Sequence, residues 1–244
     1  MRKLLTILLA CMTLTSFAQT NEPSTEELFK QGNALYDQQK YQEAISFYNK
    51  ALAKDAYFVR AFNNRGSAYF MLQDFINAML DFNKAIELNP KDADGYTNRG
   101  NLYANLGDFE KAVADFAQAM NLDPNNPSVY YNLGITYFYL KNYDFAARNL
   151  YKCVQLDDNM VEAHNYLGFS RFLLGFKEQG IKDMTKAISL NPKYAEGYYH
   201  RANAYYNMEN YTAALNDINQ ALSLRPDIED YKNLKKAIQG KIKP

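Results

Sequence analysis

A chain of 244 residues that is 48% hydrophobic can bury a sizeable core, which excludes an intrinsically disordered protein. Lys plus Arg and Asp plus Glu both number 27, so there is no cationic surplus of the kind a dedicated nucleic-acid binder sets against phosphates. Two Cys and two His exclude a Cys/His zinc cluster, and eleven Gly with seven Pro are too few turn signals for an all-β chain.

At the N-terminus, Arg2 and Lys3 precede the apolar run Leu4 to Leu14, and Ser16 and Ala18 put small residues at a cleavage site before Gln19. This is the plan of a secretory signal peptide over residues 1–18, and the apolar run is too short for a comfortable membrane span. Cleavage would send the protein to the periplasm or cell envelope and leave Cys153 as its single thiol, with no internal disulfide. Two other readings stay open. Leu8-Leu9-Ala10-Cys11 loosely matches a lipoprotein box, which would put lipid on Cys11, and the uncleaved run would act as an anchor. Membrane association is expected only in those two cases.

After a short lead-in at 19–24, the chain repeats itself every 34 residues: 25–58, 59–92, 93–126, 127–160, 161–194 and 195–228. Position 8 holds Gly32, Gly66, Gly100, Gly134, Gly168 and Ala202. Position 20 holds Ala44, Ala78, Ala112, Ala146, Gly180 and Ala214, and position 27 holds Ala51, Ala85, Ala119, Cys153, Ala187 and Ala221. Pro90, Pro124, Pro192 and Pro226 fall at position 32, and aromatics recur at positions 11 and 17. Positions 4, 7, 8 and 11 read as the buried stripe of a first helix, with small residues at 8 and 20 letting a second, antiparallel helix approach closely. Proline then ends the second helix. One such pair cannot bury both its faces, so each repeat leans on its neighbours. Past Ile228, Tyr231, Leu234 and Ile238 share one face of a further helix, which reads as a cap followed by a tail over 229–244.

The stretches NNRGSAYFMLQDFINAMLDFNKAIELNP and TNRGNLYANLGDFEKAVADFAQAMNLDP closely resemble tetratricopeptide repeats, although the family's Trp at position 4 is replaced throughout. The resemblance implies an all-α fold: a right-handed superhelical α-solenoid of six helix–turn–helix units with a capping helix. It also implies a concave groove lined by positions 2, 5, 9, 12 and 13 of each first helix, where a protein or extended peptide binds. Those positions in the first three repeats offer the polar residues Asn33, Asp37, Asn63, Ser67, Thr97, Asn101 and Asn105; in the last three they carry Tyr131, Ile135, Phe138, Tyr139, Asn165, Phe169, Phe172, Tyr199, Asn203 and Tyr206. Asn64, Asn98 and Asn132 form a ladder at position 6 able to grip peptide backbone, similar to the asparagine ladder of glycosyltransferase-associated tetratricopeptide superhelices. The two-carboxylate clamp for chaperone tails has no counterpart, because Phe29, Asn33, Asn64, Asp94 and Asn98 at its positions include no cation.

No nucleotide loop, HExxH, CxxC or G-x-S-x-G occurs, and the reading is of a non-enzyme without cofactor or metal. His164 stands where other repeats place a core aromatic or Leu, His200 reads as a helix-flank residue, and Cys153 as a small buried hydrophobe. Repeat five departs furthest from the pattern, with Arg171, Lys177 and Gly180 at positions 11, 17 and 20, and it is expected to be the softest interior unit. The function expected is a scaffold or adaptor for a partner segment. The alternatives are a self-associating oligomer and an envelope subunit that binds a glycan or lipid.

Overall fold

The computed structural model describes residues 22–242; the cleavage site and the lipid site at Cys11 lie outside them. Among the described residues the chain is a run of helices without strands: α1 (Thr25–Asp37), α2 (Tyr41–Lys54), α3 (Val59–Met71), α4 (Phe75–Leu88), α5 (Ala93–Asn105), α6 (Phe109–Leu122), α7 (Pro127–Tyr139), α8 (Tyr143–Leu156), α9 (Val161–Leu173), α10 (Lys177–Leu190), α11 (Ala195–Asn207), α12 (Tyr211–Leu224) and α13 (Glu229–Lys241). The first helix of each repeat begins at its position 1, so the spacing read in the sequence is the spacing of the helices.

The turn inside each repeat is a Schellman motif, in which two backbone N–H groups past the helix end donate to carbonyls of its last turn. In repeat four Lys141 N–H donates to the Phe138 carbonyl and Asn142 N–H to that of Tyr137, both at 2.9 Å. The motif needs a left-handed residue at position 15, and Gln39, Gln73, Gly107, Lys141, Gly175 and Glu209 all have φ between 58 and 92°. Four of these six are not glycine, so the turn is imposed by the packing of the two helices rather than by the residue's own preference. Between repeats the shared stop is an Asx turn. Asp55, Asn89, Asp123, Asp157 and Asn191 accept, through side-chain oxygen, the N–H two residues on. This explains why the two repeats without proline, with Ala56 and Asp158 in its place, end their helices at the same position as the others.

Within each pair the backbones meet at position 8, where the glycine receives the side chain from position 24. A Cβ on Gly32, Gly66, Gly100 or Gly134 would lie 2.5 to 2.7 Å from Tyr48, Phe82, Phe116 or Leu150. In repeat six Ile218 stands at position 24 and Ala202 at position 8, both fully buried. The expected stripe at 4, 7, 8 and 11 holds at position 8 and only in part elsewhere. Positions 3, 8 and 10 are buried in each of α3, α5, α7, α9 and α11, as in Ala61, Gly66 and Ala68, because neighbours on both sides cover a broad arc of each helix, whereas position 4 is buried as Leu28 and His164 and position 7 as Leu133 and Leu167. In the remaining three of these helices position 7 carries Arg65, Arg99 and Arg201. Each makes a bidentate pair with the aspartate of position 23 (Asp81, Asp115 and Asp217) and donates to Asn49, Asn83 or Thr185 of the preceding repeat. Repeat five has Leu167 at position 7, and Arg171 one turn later reaches Asp183 at 2.6 Å.

Gly180 also has a different reason from the one expected. Its missing Cβ would lie 2.6 Å from the Gly168 carbonyl oxygen and 2.9 Å from the Phe172 nitrogen, so α9 and α10 touch backbone to backbone. The departure from the repeat pattern therefore accompanies closer packing, not a slack crossing. Gly180→Ala should destabilise the protein by about 1–3 kcal/mol in urea titrations, even though Ala is the better helix former. Lys141→Gly should act in the opposite direction, by about 1 kcal/mol, because it removes the left-handed strain without touching a hydrogen bond.

Candidate functional site

Consecutive odd helices touch one another along the stack, whereas consecutive even helices do not. The odd helices therefore lie on the inside of the curve and the even ones are splayed on the outside, which makes the odd helices the inner wall of a groove. At its N-terminal end the groove holds a polar hollow of about 310 Å³ lined by Asn33, Tyr36, Asp37, Tyr48, Asn64 and Ser67. Asn33 Oδ1 accepts from Tyr48 Oη at 2.9 Å and from Asn64 Nδ2 at 2.8 Å, so the first rung of the asparagine ladder is tied to its own wall. Asn98 and Asn132 are half-buried, and the Thr136 hydroxyl bonds only the backbone carbonyl of Asn132.

The C-terminal half is aromatic, as the sequence indicates. Tyr139 is 56% exposed and stacks on Phe109 of the preceding repeat at 5.9 Å. Tyr131, Ile135, Phe138, Phe169, Tyr199, Asn203 and Tyr206 are half-buried on the same wall. Phe138 contacts Phe169 at 5.9 Å across the repeat boundary, and Tyr199 stacks on Tyr231 of α13 at 4.8 Å. Two predicted groove residues are not on the surface. Asn165 is fully buried and Phe172 is 8% exposed, packed with Met184 and Ala204. Both face a neighbouring helix, because the tight α9–α10 crossing and the α9–α11 contact cover positions 5 and 12 in this repeat.

Asn165 belongs to a network that sequence reasoning missed. Its Nδ2 lies 2.8 Å from His200 Nδ1 and donates to Tyr194 Oη at 3.3 Å. Glu196 accepts from Tyr166 Oη at 2.7 Å and from Tyr194 Oη at 3.0 Å, so one carboxylate joins repeats five and six. His200 is not a helix-flank residue but a buried one, stacked on Phe169 at 4.4 Å and 11°. The available signal was the position-6 column, which runs Asn64, Asn98, Asn132 and then changes to Tyr166 and His200. Burial pushes Tyr131 up to about 12, with the charges of Glu162 and Glu196 adding to it. Burial and Glu196 hold Tyr166 and Tyr194 well above the ordinary phenol range.

The other reactive candidates are structural. Cys153 is fully buried with Sγ 3.3 Å from Met160 Sδ, and burial pushes its thiol up to about 12, so it carries no thiolate near neutral pH. His164 is buried with Nε2 at 3.0 Å from the Asp158 carbonyl oxygen and 3.1 Å from its carboxylate. No helix among the described residues is long and apolar enough to cross a membrane.

Profiles of the tetratricopeptide repeat match residues 59–92, 82–114, 127–160 and 195–228, and a further TPR repeat profile matches 32–73 and 100–141. The chain belongs to the tetratricopeptide repeat family, and its fold is that of a protein-interaction scaffold. Among solved structures it is similar to YrrB, described as a TPR protein with an unusual peptide-binding site, at 23% identity over 78% of this chain and 97% of that one, with a TM-score of 0.64. It is also similar to a tetratricopeptide repeat protein from Parabacteroides merdae, at 22% identity over 88% and 85% of the two chains and a TM-score of 0.71. Pseudomonas aeruginosa PilF matches at 16% identity over 87% and 97%, with a TM-score of 0.78. At these identities the likeness is one of fold. No curated protein matches the chain significantly.

Burial pushes His200 down to about 4 from its ordinary 6.5. Between those values the unfolded chain binds the proton and the folded one does not. Stability from this residue is complete above about pH 6.5 and is lost as pH falls towards 4, by about 3 kcal/mol in all. Urea titrations of the wild type and His200→Gln across this window should diverge, with the variant showing the shallower pH dependence.

Proposed function

We propose that this protein is a non-catalytic scaffold of the periplasm or cell envelope that holds a segment of a partner protein in its inner groove. The observation that carries the reading is the set of aromatic side chains left accessible on the inner wall, with Tyr139 foremost. Aromatics bury large area at small entropic cost, which suits them as anchors for a partner. The signal-like N-terminus supports export, and the peptide-binding site named for YrrB supports a polypeptide ligand on this fold. The unpaired amides of Asn98 and Asn132 would orient the backbone of such a segment.

A second reading, self-association, is favoured by Ile76 and Leu80, which are 77% and 61% exposed one turn apart on the outer helix α4. Site-specific photo-crosslinkers at Tyr139 and at Ile76, activated in living cells, separate the two. The groove reading expects a heterologous adduct from position 139 that is lost in a background carrying Ile135→Ala and Leu173→Ala, Leu173 being the 42% exposed residue of α9 in the register of Tyr139. Adducts between copies of this chain from position 76, with none from 139, would establish the structural oligomer instead.

A further inference from the structure

The groove has a charge pattern that composition hides. Position 2 of successive odd helices reads Arg60, Asp94, Ser128, Glu162, Glu196 and Asp230. The only cation in this series, Arg60, is neutralised by Glu26 at 2.6 Å. From Ala61 to Asp230, positions 2, 5, 6, 9, 12 and 13 of the odd helices include these four carboxylates and neither Lys nor Arg. Asp94, Glu162 and Asp230 are exposed and pair with no cation among the described residues. A protein of zero formal net charge thus has an acidic inner wall.

The carboxylates stand beside aromatic faces. Glu196 and Asp230 share a hollow of about 370 Å³ with Tyr194, Tyr199 and Tyr231; Lys193 and Arg225 also line it, and neither forms an ion pair with Glu196 or Asp230 among the described residues. The Tyr199 hydroxyl is raised by burial and then by Asp230, and that of Tyr231 by burial and then by Glu196. An aromatic ring next to an unpaired carboxylate is a site for an ammonium or guanidinium group, which gains from both at once.

Spacing decides what carries those cations. Glu162, Glu196 and Asp230 occupy the same register on α9, α11 and α13, which touch in sequence. Packed helices lie about 8–10 Å apart, so the carboxylates repeat at about that interval. This is far too wide for a metal ion, whose oxygen ligands sit within about 2.5 Å, and no metal-holding group of His, Cys, Asp or Glu occurs among the described residues. It matches one turn of a polyproline II segment, three residues at about 3.1 Å each, which brings every third side chain back to the same face.

We propose that the C-terminal half of the groove takes an extended, polyproline-II-like partner segment bearing Lys or Arg at about every third residue, with the cations over Glu162, Glu196 and Asp230 and the side-chain stems against Tyr131 and Tyr199. The inference rests on the groove reading above and adds the chemistry of the occupant. Acidic tails and nucleic acid are disfavoured by the same charges.

The test uses the full chain and three fluorescein-labelled nonapeptides of sequence (KAA)3, (QAA)3 and (EAA)3, followed by anisotropy. The lysine probe should bind about tenfold or more tightly than the glutamine probe, lose affinity with added salt, and exceed the glutamate probe by a larger factor still. Glu162→Gln with Asp230→Asn should weaken the lysine probe by about tenfold and leave the glutamine probe unchanged. Both residues are exposed and unpaired, so the fold is retained, and circular dichroism checks it. Equal affinity for the lysine and glutamine probes, no binding of the lysine probe, or unchanged lysine binding in the double variant would each overturn the proposal. A Tyr139 adduct to a partner without a basic segment would overturn it too, while leaving the groove reading intact.

Discussion

The structure depends on how closely two helix backbones approach at positions 8 and 20. A glycine at 8 leaves a socket into which the ring or branched chain of position 24 fits, and the buried alanine at 20 lets the partner helix come near enough to fill it. Where Ile218 is the filler, the socket takes the methyl group of Ala202. Where both positions are glycine, as with Gly168 and Gly180, the backbones meet directly. This single contact fixes the helix pair, and through it the left-handed turn residue that four non-glycine side chains are made to adopt.

The pair then sets the stack. Odd helices contact their successors and even helices do not, so the array curves and encloses an inner wall. The bidentate Arg–Asp pairs add a polar tie on each boundary where both residues occur, since every such arginine also reaches the preceding repeat. Such partly buried, hydrogen-bonded pairs specify one register of repeat on repeat more than they add to stability. Repeat five keeps the tie within the repeat, because Arg171, one turn along from position 7, reaches the aspartate of position 23.

The inner wall has two roles, filled by side chains at the same repeat positions. At the junction of repeats five and six, the buried Asn165, Tyr166 and His200 are bonded into a network with Tyr194 and Glu196, which are half-buried and reach the groove. Tyr131, Tyr139, Tyr199 and the carboxylates of Glu162 and Asp230 remain accessible beside it. A hydrogen-bonded network at a repeat junction holds neighbouring side chains in place, so the accessible aromatics and acids are presented on a stiff surface. That reduces what a bound segment would have to order on arrival.

The number, length and spacing of the helices were determined by the sequence alone, as were the small-residue columns and the aromatic character of the later repeats. These follow from local chemistry repeated at a constant interval, and six copies average out the exceptions. The left-handed residues at Gln39, Gln73, Lys141 and Glu209 left no mark, because their conformation is forced by packing. The network around Glu196 was visible only as a change in one column. Which inner-wall side chains stay free was decided by the tertiary structure: Asn165 and Phe172 occupy the same repeat positions as Tyr131 and Phe138, yet they are covered where α9 is drawn against α10 and α11. A repeat position defines a direction on one helix, and burial depends on how near the next helix comes in that direction.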